Sequence, residues 1–212
     1  MILLILVNVS ASPHKVDESD SVTKYAIVCG QADTRILKGA DGDARLMVSI
    51  LKQNGFKSNN IKSLIGGKLN SESLLDALVW LNDVSTPNSE IVILFAGESM
   101  PLSHYAISQM LPIEYEKMAI LIMRCYAGRL IPVYEGANRL IITSSDITTV
   151  SGDRKPLTVW GQIYLDRGIK REQADSDGDG LISLQDALDY YLQSLSMNKE
   201  EMISDNTGEF YL

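Results

Sequence analysis

Short apolar runs alternate with amphipathic stretches along most of this chain. Tyr25 to Cys29 is a run of strand length that stops at Gly30. A polar loop, Gln31 to Gly39, leads to Ala44, Leu46, Met47, Ile50 and Leu51, which recur at helical spacing until Asn54-Gly55 ends the helix. Ile61 to Ile65 is a second strand, closed by Gly66-Gly67. Asn70 or Ser71 can cap the next helix, whose apolar face is Leu74, Leu75, Leu78, Val79 and Leu81. Pro87 and Asn88 turn the chain into a third strand, Ile91 to Phe95, ending at Ala96-Gly97. A weaker helix, Ser103 to Met110, precedes a fourth strand, Met118 to Met123, and Leu140 to Thr143 makes a fifth.

Strands alternating with helices at this spacing predict an α/β fold, a mostly parallel sheet with helices on both faces. The near-continuous apolar runs suit strands buried on both sides. In such a sheet ligands bind at the carboxyl edge, so the residues just after each strand carry the chemistry. Three of these ends stand out: Glu98-Ser99 after the third strand, Arg124-Cys125-Tyr126-Ala127-Gly128 after the fourth, and Ser144-Ser145-Asp146 after the fifth. A thiol at Cys125 is placed as a nucleophile would be. The same position also suits a small buried hydrophobe.

Composition narrows the partners. The formal net charge of -8 over 212 residues argues against a nucleic-acid surface and against anionic lipid, and no basic cluster offsets it. With 45% hydrophobic residues the chain can fill one sizeable core. Two cysteines, Cys29 and Cys125, make no disulfide framework. At the start, the apolar run Ile2 to Val7 followed by Val9-Ser10-Ala11 reads either as a degenerate export signal or as an ordinary leader. No other segment approaches the ~20 apolar residues of a membrane span. The expected organisation is a leader over residues 1–23, an α/β domain over 24–155 and a helical extension over 156–212.

Cys125-Tyr126-Ala127-Gly128, and Asn138 to Asp146 with the strand inside it, carry a resemblance to the caspase-fold cysteine peptidases. Within them the chain looks like the legumain-type, or asparaginyl endopeptidase, family in its compact prokaryotic form, over Lys24 to Gly152 and on to the closing Ile203 to Leu212. The resemblance implies a caspase-like three-layer fold, with Cys125 at the nucleophile position and Arg35, Ser144 and Ser145 in the substrate pocket. It also exposes departures. Glu98 stands where the family has its general-base histidine, Ser99 where a glycine helps hold the oxyanion, and Met123 where an acidic residue lines the pocket. A nearby carboxylate raises a thiol pKa, whereas imidazole stabilises the thiolate. Arg124 beside the thiol would act in the opposite sense to Glu98. Only His14 and His104 exist, so His104 is the sole candidate replacement base outside the leader. Two functions follow: a pseudopeptidase that binds a peptide or protein ligand at the sheet edge, or an active cysteine endopeptidase with a noncanonical base such as His104.

The extension carries a second motif. Asp175-Ser176-Asp177-Gly178-Asp179-Gly180-Leu181-Ile182-Ser183-Leu184-Gln185-Asp186 matches the EF-hand calcium loop. Asp175, Asp177 and Asp179 offer alternating carboxylates, Leu181 its carbonyl, Ser183 a water-mediated contact, and Asp186 the twelfth ligand. Asp186 is one methylene shorter than the usual Glu, which makes bidentate contact harder and predicts modest Ca²⁺ affinity. Helices are expected on both sides, Leu157 to Arg167 and Leu184 to Leu195, giving a helix-loop-helix calcium site.

Overall fold

The apolar runs assemble into one six-stranded sheet, seen in a computed structural model that describes residues 22–32, 37–176, 178–197 and 202–212. The expected leader up to residue 21, with Ile2 to Val7 and His14, lies outside the described residues, as do Arg35 and Asp177. The strands are β1 (Thr23–Gly30), β2 (Ile61–Ile65), β3 (Ser89–Ala96), β4 (Lys117–Met123) and β5 (Arg139–Thr143), with β8 (Ile203–Asp205) joining from far downstream. Their order is β2-β1-β3-β4-β5-β8. The first five run parallel, and β8 pairs antiparallel with β5. A small hairpin, β6 (Asp153–Arg154) and β7 (Leu157–Thr158), stands apart from the sheet.

Alternation along each strand sorts the core into two layers. Val28, Val92, Leu94, Leu121, Met123 and Ile142 share one cluster with residues of α1 (Ala40–Gln53), α5 (Leu184–Leu195) and a ten-residue helix, Gly161–Lys170. Ile27, Cys29, Ile93, Phe95, Ile120 and Ile141 share the other with α2 (Ser71–Val84), α3 (His104–Gln109) and α4 (Ile131–Tyr134). This is the three-layer α/β arrangement that the alternating pattern predicts. The extension is part of it, because Trp160, Tyr164, Leu188 and Phe210 lie in the first cluster. Among the described residues no helix is long and apolar enough to cross a membrane.

Several local expectations need revision. The helix expected from Leu157 instead begins as β7, and the helix proper, Gly161–Lys170, is wound as a π-helix, with the Arg171 N–H reaching back five residues to the Asp166 carbonyl (3.0 Å). On α2, Asn70 is the cap, its side chain accepting the Ser73 N–H at 2.9 Å, and Leu74, Leu78 and Leu81 are buried. Leu75 and Val79 face outward instead, 43% and 48% exposed, because α2 covers the sheet with a stripe narrower than its run of apolar residues.

Candidate active site at the carboxyl edge of the sheet

Parallel register brings the strand ends level, with Ala96 paired to Met123 and Ile122 to Thr143. Glu98, Cys125, Ser144 and Ser145 therefore meet at one edge, beside the β1/β3 boundary where the strand order reverses. At that boundary Gly97 has φ +128°, and a Cβ there would strike the Gln31 carbonyl oxygen, so only glycine lets the chain pass this close and deliver Glu98 to β4.

The turn carrying Cys125 is held from outside. The Arg124 carbonyl accepts three hydroxyls, those of Ser144 (3.2 Å), Ser145 (2.9 Å) and Ser151 (2.8 Å). The Arg124 and Ala127 N–H groups donate to the Ser144 and Ser145 oxygens at 3.1 and 3.0 Å, and the Tyr126 N–H donates to the Thr149 carbonyl. Tyr126 is left-handed at φ 56°, a conformation that costs energy for a side-chain-bearing residue and persists because these bonds surround it. Ser144 and Ser145, placed in the substrate pocket by the resemblance, are each 1% exposed, with their hydroxyls engaged on this main chain. They build the turn rather than line an opening.

Glu98 dominates the electrostatics of the thiol. One of its carboxylate oxygens accepts the Cys125 backbone N–H at 2.7 Å, which brings the carboxylate beside the thiol. The other oxygen pairs with the Arg124 guanidinium at 3.6 Å. Cys125 is 4% exposed. Desolvation first, then the hydrogen bond to Glu98 and its charge, push the thiol up to about 11, while the Ser151 backbone and Arg124 act in the opposite direction and are outweighed. Met123 is fully buried in the core cluster on the α1 side of the sheet.

His104 belongs to a different cluster. Its Nδ1 is 2.7 Å from the Tyr134 hydroxyl, and its ring stands edge-on to Phe95. Burial, then the charge of Arg124, lower its pKa to about 4. The groups that shift the Cys125 thiol are Glu98, Ser151 and Arg124, and this imidazole is not among them. Cys29 and Cys125 are both free thiols, and Cys29 has no exposed surface.

In the acidic loop, the Asp175 carboxylate accepts the Gly178 and Gly180 N–H groups at 2.8 and 3.2 Å, and Asp179 accepts that of Leu181 at 2.7 Å. Gly180 takes φ +82°, the left-handed conformation that turns the loop sharply. Ser183 and Asp186 form a capping box at the start of α5: the Ser183 hydroxyl and N–H donate to one Asp186 oxygen, and the Asp186 N–H donates back. Ser183 is thus buried as a cap rather than free to hold a water, and Asp186 has one oxygen left for a cation. Among the described residues no three acidic, histidine or cysteine side chains are gathered as a metal site. The carboxylates of Asp175, Asp179 and Asp186 are hard oxygen donors, the kind Ca²⁺ takes.

No protein-family model and no curated protein matches the chain. Among solved structures, it is similar to the crystal structure of protein GSU0716 from Geobacter sulfurreducens, with a TM-score of 0.59 and 12% identity over 86% of this chain and 92% of that one. At that identity the likeness concerns the fold, and it agrees with the open three-layer α/β architecture.

Proposed function

We propose that this protein is a legumain-type, caspase-fold cysteine peptidase homologue that has lost peptide hydrolysis, a pseudopeptidase that keeps the sheet edge for binding a peptide or protein ligand and uses Ca²⁺ to stabilise its C-terminal extension. One observation carries the reading: the Glu98 carboxylate accepts the backbone N–H of Cys125 at 2.7 Å, which sets its charge beside the thiol. A cysteine peptidase needs that thiol as thiolate and needs N–H donors free for the developing oxyanion. Glu98 opposes both requirements at once. It is an acceptor where catalysis needs a proton donor to the leaving amine, and it fills the position an oxyanion would occupy. The alternative, an active peptidase using His104, lacks a supporting contact, since that imidazole bonds Tyr134.

Asp175, Asp179, the Leu181 carbonyl and Asp186, together with Asp177, are the residues that would hold Ca²⁺, which would supply cross-linking charge rather than reactivity.

The test is hydrolysis of asparaginyl and aspartyl peptide substrates by the unaltered protein and by Cys125→Ala. The two rates are expected to coincide. The paired change Glu98→His with Ser99→Gly is expected to raise Cys125-dependent thiol reactivity, because nucleophile and base act as a unit. Robust hydrolysis by the unaltered protein that disappears in Cys125→Ala would overturn the reading.

A further inference from the structure

The β6–β7 hairpin packs closely on the first turn of α1, where glycines let the two main chains approach. A Cβ at Gly39 would collide with the main chain of Leu157 and Thr158, one at Gly42 with the Pro156 carbonyl, and one at Gly161 with the carboxylate of Asp43. Into this contact the fold sets one acid. Asp43 has no exposed surface. Its Oδ1 accepts the Thr158 N–H at 3.0 Å and its Oδ2 the Thr158 hydroxyl at 2.5 Å, while the same hydroxyl oxygen accepts the Gly161 N–H at 3.0 Å. Thr158 closes the hairpin and Gly161 opens the π-helix, so a single carboxyl group joins three elements.

The charged group facing it among the described residues is Asp153 of the hairpin, whose own Oδ1 accepts the Gly39 N–H at 2.9 Å. On α1, Asp41 is directed elsewhere, to the Ala32 N–H at 2.7 Å and Arg45 at 4.0 Å. The π-helix meets Asp43 through Gly161, which brings no charge. Desolvation therefore raises the Asp43 pKa to about 7, with Asp153 adding to the rise and the Thr158 hydrogen bonds opposing it.

We propose that Asp43 is a proton-sensitive latch that holds the β6–β7 hairpin on α1 when protonated and loosens it when ionised. An ionised carboxyl group in a dry seat gains by hydration, and it can hydrate only if the hairpin lifts. The sign follows from linkage. The folded pKa is raised above the ordinary value of 3.8, so the stabilisation is complete below about pH 4, declines as pH climbs and is gone above about 7. Ser151, two residues before the hairpin, hydrogen-bonds the Arg124 carbonyl, so the latch connects to the Cys125 turn.

Trp160 adjoins Gly161, is buried and stacks on Tyr164 with ring centroids 4.6 Å apart, which makes it a local reporter. With Trp80→Phe as the parent, Trp160 is the remaining tryptophan, and its emission is followed from pH 5 to 9. A transition near pH 7 is expected in the parent and none in Asp43→Asn. Asp153→Asn removes a repelling charge and should lower the midpoint, and Thr158→Val removes a donor and should raise it. A transition that persists unchanged in Asp43→Asn overturns the latch. If Asp43→Asn does not fold by circular dichroism, the other two variants decide: opposite shifts support the latch, and shifts of one sign or none refute it.

Discussion

At the scale of single residues, the Glu98–Cys125 pair shows how a carboxylate sets the state of a neighbouring thiol. An imidazole would stabilise the thiolate, whereas burial and the nearby carboxylate charge keep the thiol neutral. With the folded pKa near 11, the thiolate fraction stays small through pH 8, and alkylation by iodoacetamide at that pH should run well below that of a free thiol. Glu98→Gln removes the charge and frees Arg124, and the alkylation rate should rise by roughly tenfold for each pKa unit recovered. Peptide mapping by mass spectrometry separates Cys125 from Cys29, which is fully buried and pushed up to about 12 by desolvation. An unchanged rate in Glu98→Gln would mean that burial alone silences the thiol. The positions of Glu98, Cys125 and the Ser144-Ser145 pair at one edge are legible in the sequence, since each directly follows an apolar run. That the two serines face inward is not, because their partners are main-chain atoms of a turn built from a distant segment.

At the scale of elements, legibility follows how local the signals are. Helix α5 occupies Leu184–Leu195, as read, because Ser183 and Asp186 declare its start and an apolar face continues from there. Strand β2 coincides with Ile61–Ile65 for similar reasons, bounded by polar residues and a glycine pair. The hairpin at 153–158 escapes, since Leu157 and Val159-Trp160 continue the spacing of the helix that follows. What makes Leu157–Thr158 a strand is its seat against Gly39 and Gly42, far away in sequence. β8 escapes too: Ile203-Ser204-Asp205 has little strand character without β5 beside it. The acidic loop sits between the π-helix and α5. There, Ca²⁺ binding should raise the melting temperature by mass action on the native state, and Asp179→Ala should remove the shift while leaving the circular dichroism spectrum unchanged. A calorimetric titration without heat, together with no thermal shift at millimolar Ca²⁺, would withdraw the metal from the functional reading.

At the scale of the whole molecule, the extension and the sheet edge form one unit. The Tyr191 hydroxyl, on α5, donates to the Ser144 carbonyl at 2.9 Å, both groups lying in the interior. The Thr143 N–H donates to the Met202 carbonyl, and the Leu184 N–H to that of Phe210. Tyr191→Phe leaves the Ser144 carbonyl without its partner and should cost about 1–3 kcal/mol in urea denaturation, with the m-value unchanged. The same variant should increase alkylation of Cys125, because Ser144 helps hold its turn. A stability loss with no change at Cys125 would separate the extension from the site.

The late arrival of β8 sets an order on assembly. During synthesis β1 to β5 emerge in sequence and can pair in parallel as they appear, but β5 stays an open edge until residues 203–205 have left the ribosome. Until then Thr143 lacks the Met202 bond that anchors it, and the turn bearing Cys125 is incompletely braced. A nascent chain stalled before β8 therefore presents β5 as an unpaired apolar strand, which makes it a candidate for chaperone capture at that stage.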